Sequence, residues 1–141
     1  MKKTFITALV AVATVLAISC SKEEKTISLP GTSWVYNLET TVMGQTLIVN
    51  DTLNILDDQN IDRGISFVAG TNERALHDSF TYTWNGKTLS LLDSVGEPTS
   101  MIFNYNEKDN IFYRDMSIAD DEMVSIFQMI GITEMPYRQI K

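Results

Sequence analysis

Residues 79–92 read SFTYTWNGKTLSLL. Phe80, Tyr82 and Trp84 fall on one side of an alternating pattern, and Ser79, Thr81 and Thr83 fall on the other. A repeat of two is the period of a β-strand, in which successive side chains point to opposite faces. Asn85-Gly86 follows at once. That dipeptide tolerates the positive φ angles of a two-residue type I′ turn, whose twist matches that of the flanking strands. Lys87 to Leu92 then reads as the return strand, so the unit is an antiparallel hairpin with one aromatic face.

The same alternation extends in both directions. Towards the N-terminus, Ser33–Glu39 sets Trp34, Tyr36 and Leu38 against Val35, Asn37 and Glu39. Met43-Gly44-Gln45 reads as a turn, and Thr46–Leu56 as strand with a break near Asn50-Asp51. Asp57–Arg63 reads as a polar turn and Gly64–Ala69 as a further short strand. Towards the C-terminus, Ser94–Glu97 is a turn and Thr99–Tyr105 a strand. Asn106–Asn110 is a turn, Ile111–Ser117 a strand, and Glu134–Ile140 the closing strand. Ala119–Gly131 departs from this pattern. Asp120, Asp121 and Glu122 suit the first turn of a helix. Met123, Ile126, Phe127 and Ile130 share one helical face, and Gly131 suits the position after the last turn. The β-branched Val124 and Ile126 keep a strand open as the alternative. The expectation is an all-β fold: a small antiparallel meander β-barrel of about eight strands with one short late helix. Closure removes the exposed edges of a meander. A barrel of that size is filled by its own side chains or holds one small ligand.

The first residues carry a different signal. Met1, Lys2 and Lys3 are followed by an uncharged run to Ser21 that is rich in Ala, Val, Leu and Ile. A basic start, an apolar stretch and small residues before a break describe a secretory signal. A membrane-spanning helix needs roughly 20 apolar residues, and this run is marginal and interrupted by threonines. Ala17-Ile18-Ser19-Cys20 resembles the lipobox of bacterial lipoproteins, with Ala17 where a larger apolar residue is usual. That resemblance implies cleavage of residues 1–19 and acylation of Cys20, palmitate included. Cys20 is the only cysteine in the chain, so no intramolecular disulfide competes for it. Lys22-Glu23-Glu24 resembles the export signal of Gram-negative bacteria that display lipoproteins on the cell surface, which implies an outer-membrane, surface-exposed location. The implied organisation is a signal peptide over 1–19, a lipidated cysteine with a polar tether over 20–28, and one domain over 29–141.

Without the leader the chain has 122 residues, with nine Lys and Arg against 18 Asp and Glu, a net charge of −9. Such a charge opposes nucleic acid, whose binding rests on neutralising phosphates, and opposes adsorption to anionic headgroups. The expected membrane contact is therefore the N-terminal lipid alone. A domain of this size buries a core without disulfides or metal.

Leu29-Pro30-Gly31-Thr32-Ser33-Trp34 resembles the opening of small lipocalin-like (calycin-type) bacterial lipoproteins. Here two residues stand between the Gly and the Trp, where the strict signature has one. The resemblance implies an eight-stranded barrel with a cup for an apolar ligand. It maps Trp34 onto the Trp that closes one barrel end and makes Arg138 the candidate for the Arg that covers it.

Chemistry-bearing constellations are sparse. His77 is the single histidine, beside Asp78 at a strand start, and no nucleophile-elbow motif accompanies it. No His or Cys cluster has metal-ligand spacing, so neither a metal nor another cofactor is expected. Asp58, Asn60 and Asp62 alternate as in the first half of a calcium loop, but the sixth position is Arg63 rather than Gly and the twelfth is Ala69 rather than Glu. An acidic turn is the simpler reading. Asp51-Thr52-Leu53 and Asp93-Ser94-Val95 resemble an O-glycosylation sequon of the same kind of bacteria, which makes Thr52 and Ser94 candidate sites. The stripe Trp34, Tyr36, Phe80, Tyr82, Trp84, Met101 and Phe103, with Met116, either lines a ligand pocket or is core. The expected function is a non-catalytic binding module for a small apolar ligand. The alternative is a protein-interaction lipoprotein, such as a protease inhibitor or assembly partner, working through Asp57–Arg63 or Asn106–Asn110.

Overall fold

The computed structural model describes residues 27–117 and 122–141. Cys20, Lys22, Glu23 and Glu24 lie outside the described residues. Eight antiparallel strands run in chain order around a closed barrel: β1 (Ser33–Val42), β2 (Gln45–Ile55), β3 (Asn60–Ala69), β4 (Asn72–Trp84), β5 (Thr88–Leu92), β6 (Pro98–Asn106), β7 (Ile111–Arg114) and β8 (Pro136–Gln139). One helix, α1 (Glu122–Met129), stands between β7 and β8. β8 closes the ring by pairing with β1 at Trp34 and Val35. The eight-stranded meander barrel and the single late helix expected from the alternating pattern are both present.

The aromatic hairpin forms as read, with Tyr82 opposite Leu91 and Trp84 opposite Leu89. Its turn is built differently. Gly86 has a positive φ, but Asn85 does not. The Asn85 side chain instead accepts hydrogen bonds from the backbone N–H groups of Lys87 and Thr88, a local carboxamide turn of the Asx type. The two-residue turn with successive positive φ occurs at Met43-Gly44, with φ of 51° and 78°. That is the geometry of type I′.

Other boundaries differ from the sequence reading in informative ways. β2 runs unbroken through Asn50-Asp51, because the Asp51 carboxylate finds partners inside the barrel. β3 begins at Asn60, so Arg63 is an inward strand residue rather than a turn residue. β4 begins at Asn72, seven residues before the alternating stretch. β7 ends at Arg114 rather than Ser117. On α1 the fully buried side chains are Val124 and Phe127, whereas Ile126 is exposed. The helix docks through the contact of Phe127 with Tyr36, at 6.3 Å between ring centres, and that contact sets its rotation. Gly131 has the positive φ expected after a helix end.

The strands differ in length, and this divides the barrel. The chain enters beside Ile55, whose carbonyl accepts the Gly31 N–H at 2.7 Å. Thr32 Oγ1 donates to the Leu29 carbonyl and accepts from Trp34 Nε1, so the 29–34 opening fastens itself. Trp34 is fully buried there, edge-on to Phe112 at 4.7 Å, with Tyr105 beside it. Ten residues of β1 then lead to the far end, roughly 30 Å away at about 3.3 Å per residue. At that end β1–β4 outrun β5–β8, and α1 covers the opening.

Candidate functional site

Between the aromatic floor and α1 lies a polar layer. Asp51 from β2 is fully buried, and its carboxylate accepts from Arg63 Nε at 2.9 Å and Arg63 Nη2 at 2.6 Å, a bidentate pair. The Tyr137 hydroxyl, from β8, donates to Asp51 Oδ2 at 2.7 Å. Arg63 Nη1 lies 3.0 Å from Met101 Sδ, and Nη2 lies 3.6 Å from Met123 Sδ on α1. Arg114 from β7 is also buried, with its guanidinium carbon 5.7 Å from the Phe103 ring centre. Phe103 in turn meets Tyr137 edge-on at 5.1 Å. One carboxylate thus ties β2, β3 and β8 together across the barrel. Asp51 and Tyr137 are sealed from solvent, so the layer braces the fold.

Burial pushes the Tyr137 hydroxyl well above the usual tyrosine range, with the Asp51 charge adding to the rise and Arg114 and Arg63 opposing it. Burial also raises Tyr36, Tyr82 and Tyr105, with Asp58 and Asp57 contributing at Tyr82 and Glu107 at Tyr105. A group held more strongly protonated in the folded state leaves stability intact below its unfolded value, about 10 for tyrosine. Stability then falls as pH rises through the folded value. The barrel is therefore expected to lose stability above about pH 10, with the last tyrosinate absorbance appearing together with unfolding. An alkaline titration followed by ultraviolet absorbance and circular dichroism checks this. Full ionisation of the tyrosines with the near-ultraviolet signal intact would contradict it.

At the far end an apolar crevice of about 260 Å³ opens between the β1–β2 turn, the start of β2, the end of β3 and α1. Val42, Met43, Leu47, Ala69, Ile126 and Ile130 supply its apolar walls, with Gln45 and Thr46 as the polar members. Met43 is completely exposed, and Ile126 and Met129 are 54% and 84% exposed. The sequence reading did not single out this crevice. Its residues come from four separate segments, and only Ile126 on α1 and Ile130 just after it belong to a recognisable pattern.

The aromatic stripe faces inward as its alternation requires. Trp34, Tyr36, Tyr82 and Phe103 are buried, and Phe80, Trp84 and Met101, with Met116, pack partly buried against them. Trp84 meets Phe112 and Tyr105 edge-on. These side chains fill the middle and the entry end of the barrel. Arg138 is exposed and pairs with Val35, on the outward face of β1. It cannot cover Trp34, and the buried arginine of the late strands is Arg114.

Asp58, Asn60 and Asp62 do not converge. Asn60 is held by Asp57, which also accepts from the backbone of Gln59 and Asn60. These bonds lower the Asp57 pKa. Asp62 accepts instead from Ser79 Oγ. Among the described residues no group of three or more His, Cys, Asp or Glu is placed to hold a metal ion. His77 is exposed on β4, 3.9 Å from Asp62. Thr52 is half-buried on β2 beside the buried Asp51, and Ser94 is exposed in the β5–β6 turn. The turns Asp57–Gln59 and Glu107–Asn110 both lie at the chain-entry end, away from the crevice.

No family model, curated protein or solved structure matches the chain.

Proposed function

We propose that the chain is a non-catalytic, lipid-anchored binding module of the outer membrane, displayed on the cell surface. In this reading the crevice beside α1 takes a small apolar ligand such as an acyl chain. The observation that carries the binding reading is the position of the crevice. It opens at the end of the barrel opposite the chain entry, so an anchor at Cys20 leaves it facing outward. The lipobox and the Lys22-Glu23-Glu24 signal support the location. The filled barrel interior moves the ligand from a central cup to the rim. A volume of about 260 Å³ falls just below the roughly 300–1,000 Å³ of ordinary small-molecule pockets, which suits one chain or ring.

Fluorescence titration of residues 21–141 with a dansylated fatty acid tests this reading. Saturable binding is expected, weakened about tenfold by Ile126→Glu, since burying an isoleucine contributes about 1.5–3 kcal/mol. Absence of saturable binding, or equal binding by the variant, sinks the small-ligand reading. A protein partner is the second reading. It is favoured by Met43, Ile126 and Met129, because clustered exposed apolar side chains mark interaction surfaces.

A further inference from the structure

β4 has thirteen residues, but β5 pairs with only the last four, Thr81–Trp84. On its other side β4 pairs with β3 from Asn72 to Thr81 without a bulge. Residues Asn72 to Ser79 are all exposed, on both faces of the strand. None of them enters a backbone hydrogen bond outside that ladder among the described residues. The β4 edge over residues 72–80 therefore presents roughly 30 Å of open hydrogen-bonding backbone. Proteins usually blunt such an edge with proline, a bulge, a very short strand or charged side chains. This segment has no proline and no bulge, and its only defence is the charges Glu73, Arg74 and Asp78, which a partner of matching charge neutralises.

Its charges are arranged about a centre. Arg74, Leu76 and Asp78 lie opposite Phe67, Ile65 and Arg63 of β3 and share the core-facing side of the sheet. We propose that this edge pairs antiparallel with the same edge of a second copy, about a two-fold axis through Leu76. In that register Leu76 meets Leu76, and Arg74 of each copy meets Asp78 of the other. On the opposite face Ala75 meets His77 and Glu73 meets Ser79. No like charges oppose one another. A slip of one residue sets Glu73 against Asp78 in one direction, and Arg74 against Ser79 with Asp78 against Ala75 in the other. A slip of two sets neither Arg74 against Asp78, so every slip loses both ion pairs. Directly opposed charges stabilise or destabilise a strand pair according to sign, so the sequence specifies one register. A two-fold pairing uses both open edges and stops at a dimer. The edge shares no residue with the crevice lining, and the pairing does not depend on the ligand reading. A contact of one strand pair is smaller than a standard interface, so the dimer dissociates on dilution.

The test is sedimentation velocity of the full-length chain in a non-ionic detergent across a concentration series. A monomer–dimer equilibrium is expected. Arg74→Asp and Asp78→Arg each place like charges opposite one another twice per dimer, and each is expected to weaken association about tenfold or more. The double variant Arg74→Asp/Asp78→Arg restores the opposed pairs and is expected to restore the dimer. Arg74, Leu76 and Asp78 are all exposed, and because Asp78→Arg also faces Arg63 of β3, circular dichroism of each variant checks that folding is retained. As a second measurement, Leu76→Cys is expected to cross-link on mild oxidation well above the wild type, in which lipidation leaves Cys20 no thiol to oxidise. A monomer at every concentration overturns the proposal. So does a double variant no better than the singles, an open-ended polymer, or a Leu76→Cys yield equal to the wild type.

Discussion

Asp51→Ala is expected to destabilise the barrel by about 3–5 kcal/mol, the cost of removing one partner from a buried ion pair. That lowers the thermal midpoint by roughly 10–20 °C. The substitution leaves the Arg63 guanidinium, whose side chain is 14% exposed, without the carboxylate that binds it through two nitrogens. It also removes the acceptor of the Tyr137 hydroxyl. Asp51→Asn keeps an acceptor for Tyr137 but not the charge, and is expected to fall between the wild type and Asp51→Ala. Thermal unfolding followed by near-ultraviolet circular dichroism measures both. A loss below about 1 kcal/mol for Asp51→Ala would mean that water or a rearranged side chain satisfies Arg63. A brace of this kind also specifies pairing. Shifting β2 by one residue turns Asp51 outward and Thr52 inward, which separates the carboxylate from both partners.

The hairpin over residues 79–92 was legible because alternation survives wherever a strand has one dry face and one wet face. The segments that escaped lack that contrast. Asn72–Asp78 is exposed on both sides, so its residues carry no period of two, and the alternating pattern marks only the second half of the longest strand. In sequence Asp51 and Arg63 mark a break and a turn, since isolated charges seldom face a core. Their pairing joins positions on different strands, which no local window contains. On α1 the apolar spacing placed Ile126 with Phe127, but burial selected Val124. Several registers of a short apolar helix fit the same residues, and only the contact with Tyr36 chooses among them. The crevice was illegible for a related reason, since turn residues such as Met43 and Gln45 join it only through the fold. The 29–34 opening is held by local bonds. Gly31 takes a positive φ, Thr32 bonds both to Leu29 and to Trp34, and the Trp34 ring seals the floor.

Cys20→Ser is expected to abolish membrane attachment altogether, moving the protein from the membrane to the soluble fraction and removing palmitate labelling. The size of the effect follows from chain count. Each buried methylene contributes about 0.8 kcal/mol, one acyl chain holds a protein only reversibly, and two or more hold it stably. The charge of residues 20–141 does not compensate, because a net charge of −9 is repelled by anionic headgroups. Among the described residues no helix is long and apolar enough to cross a membrane. Fractionation with palmitate labelling distinguishes the outcomes, and retained labelling in Cys20→Ser would refute lipidation at this residue. Shaving intact wild-type cells with external protease tests display, and protection would place the domain on the inner side of the outer membrane. Geometry gives the anchor its consequence. Under the proposed anchoring, the nine residues 20–28, which reach at most roughly 30 Å, hold the Trp34 floor near the bilayer. The crevice stands a further barrel length away, and the β4 edge runs along the barrel wall towards the same far end. An anchor at Cys20 therefore confines the copies to one plane with their β4 edges at a common height, the arrangement in which a weak edge-to-edge contact gains most from local concentration.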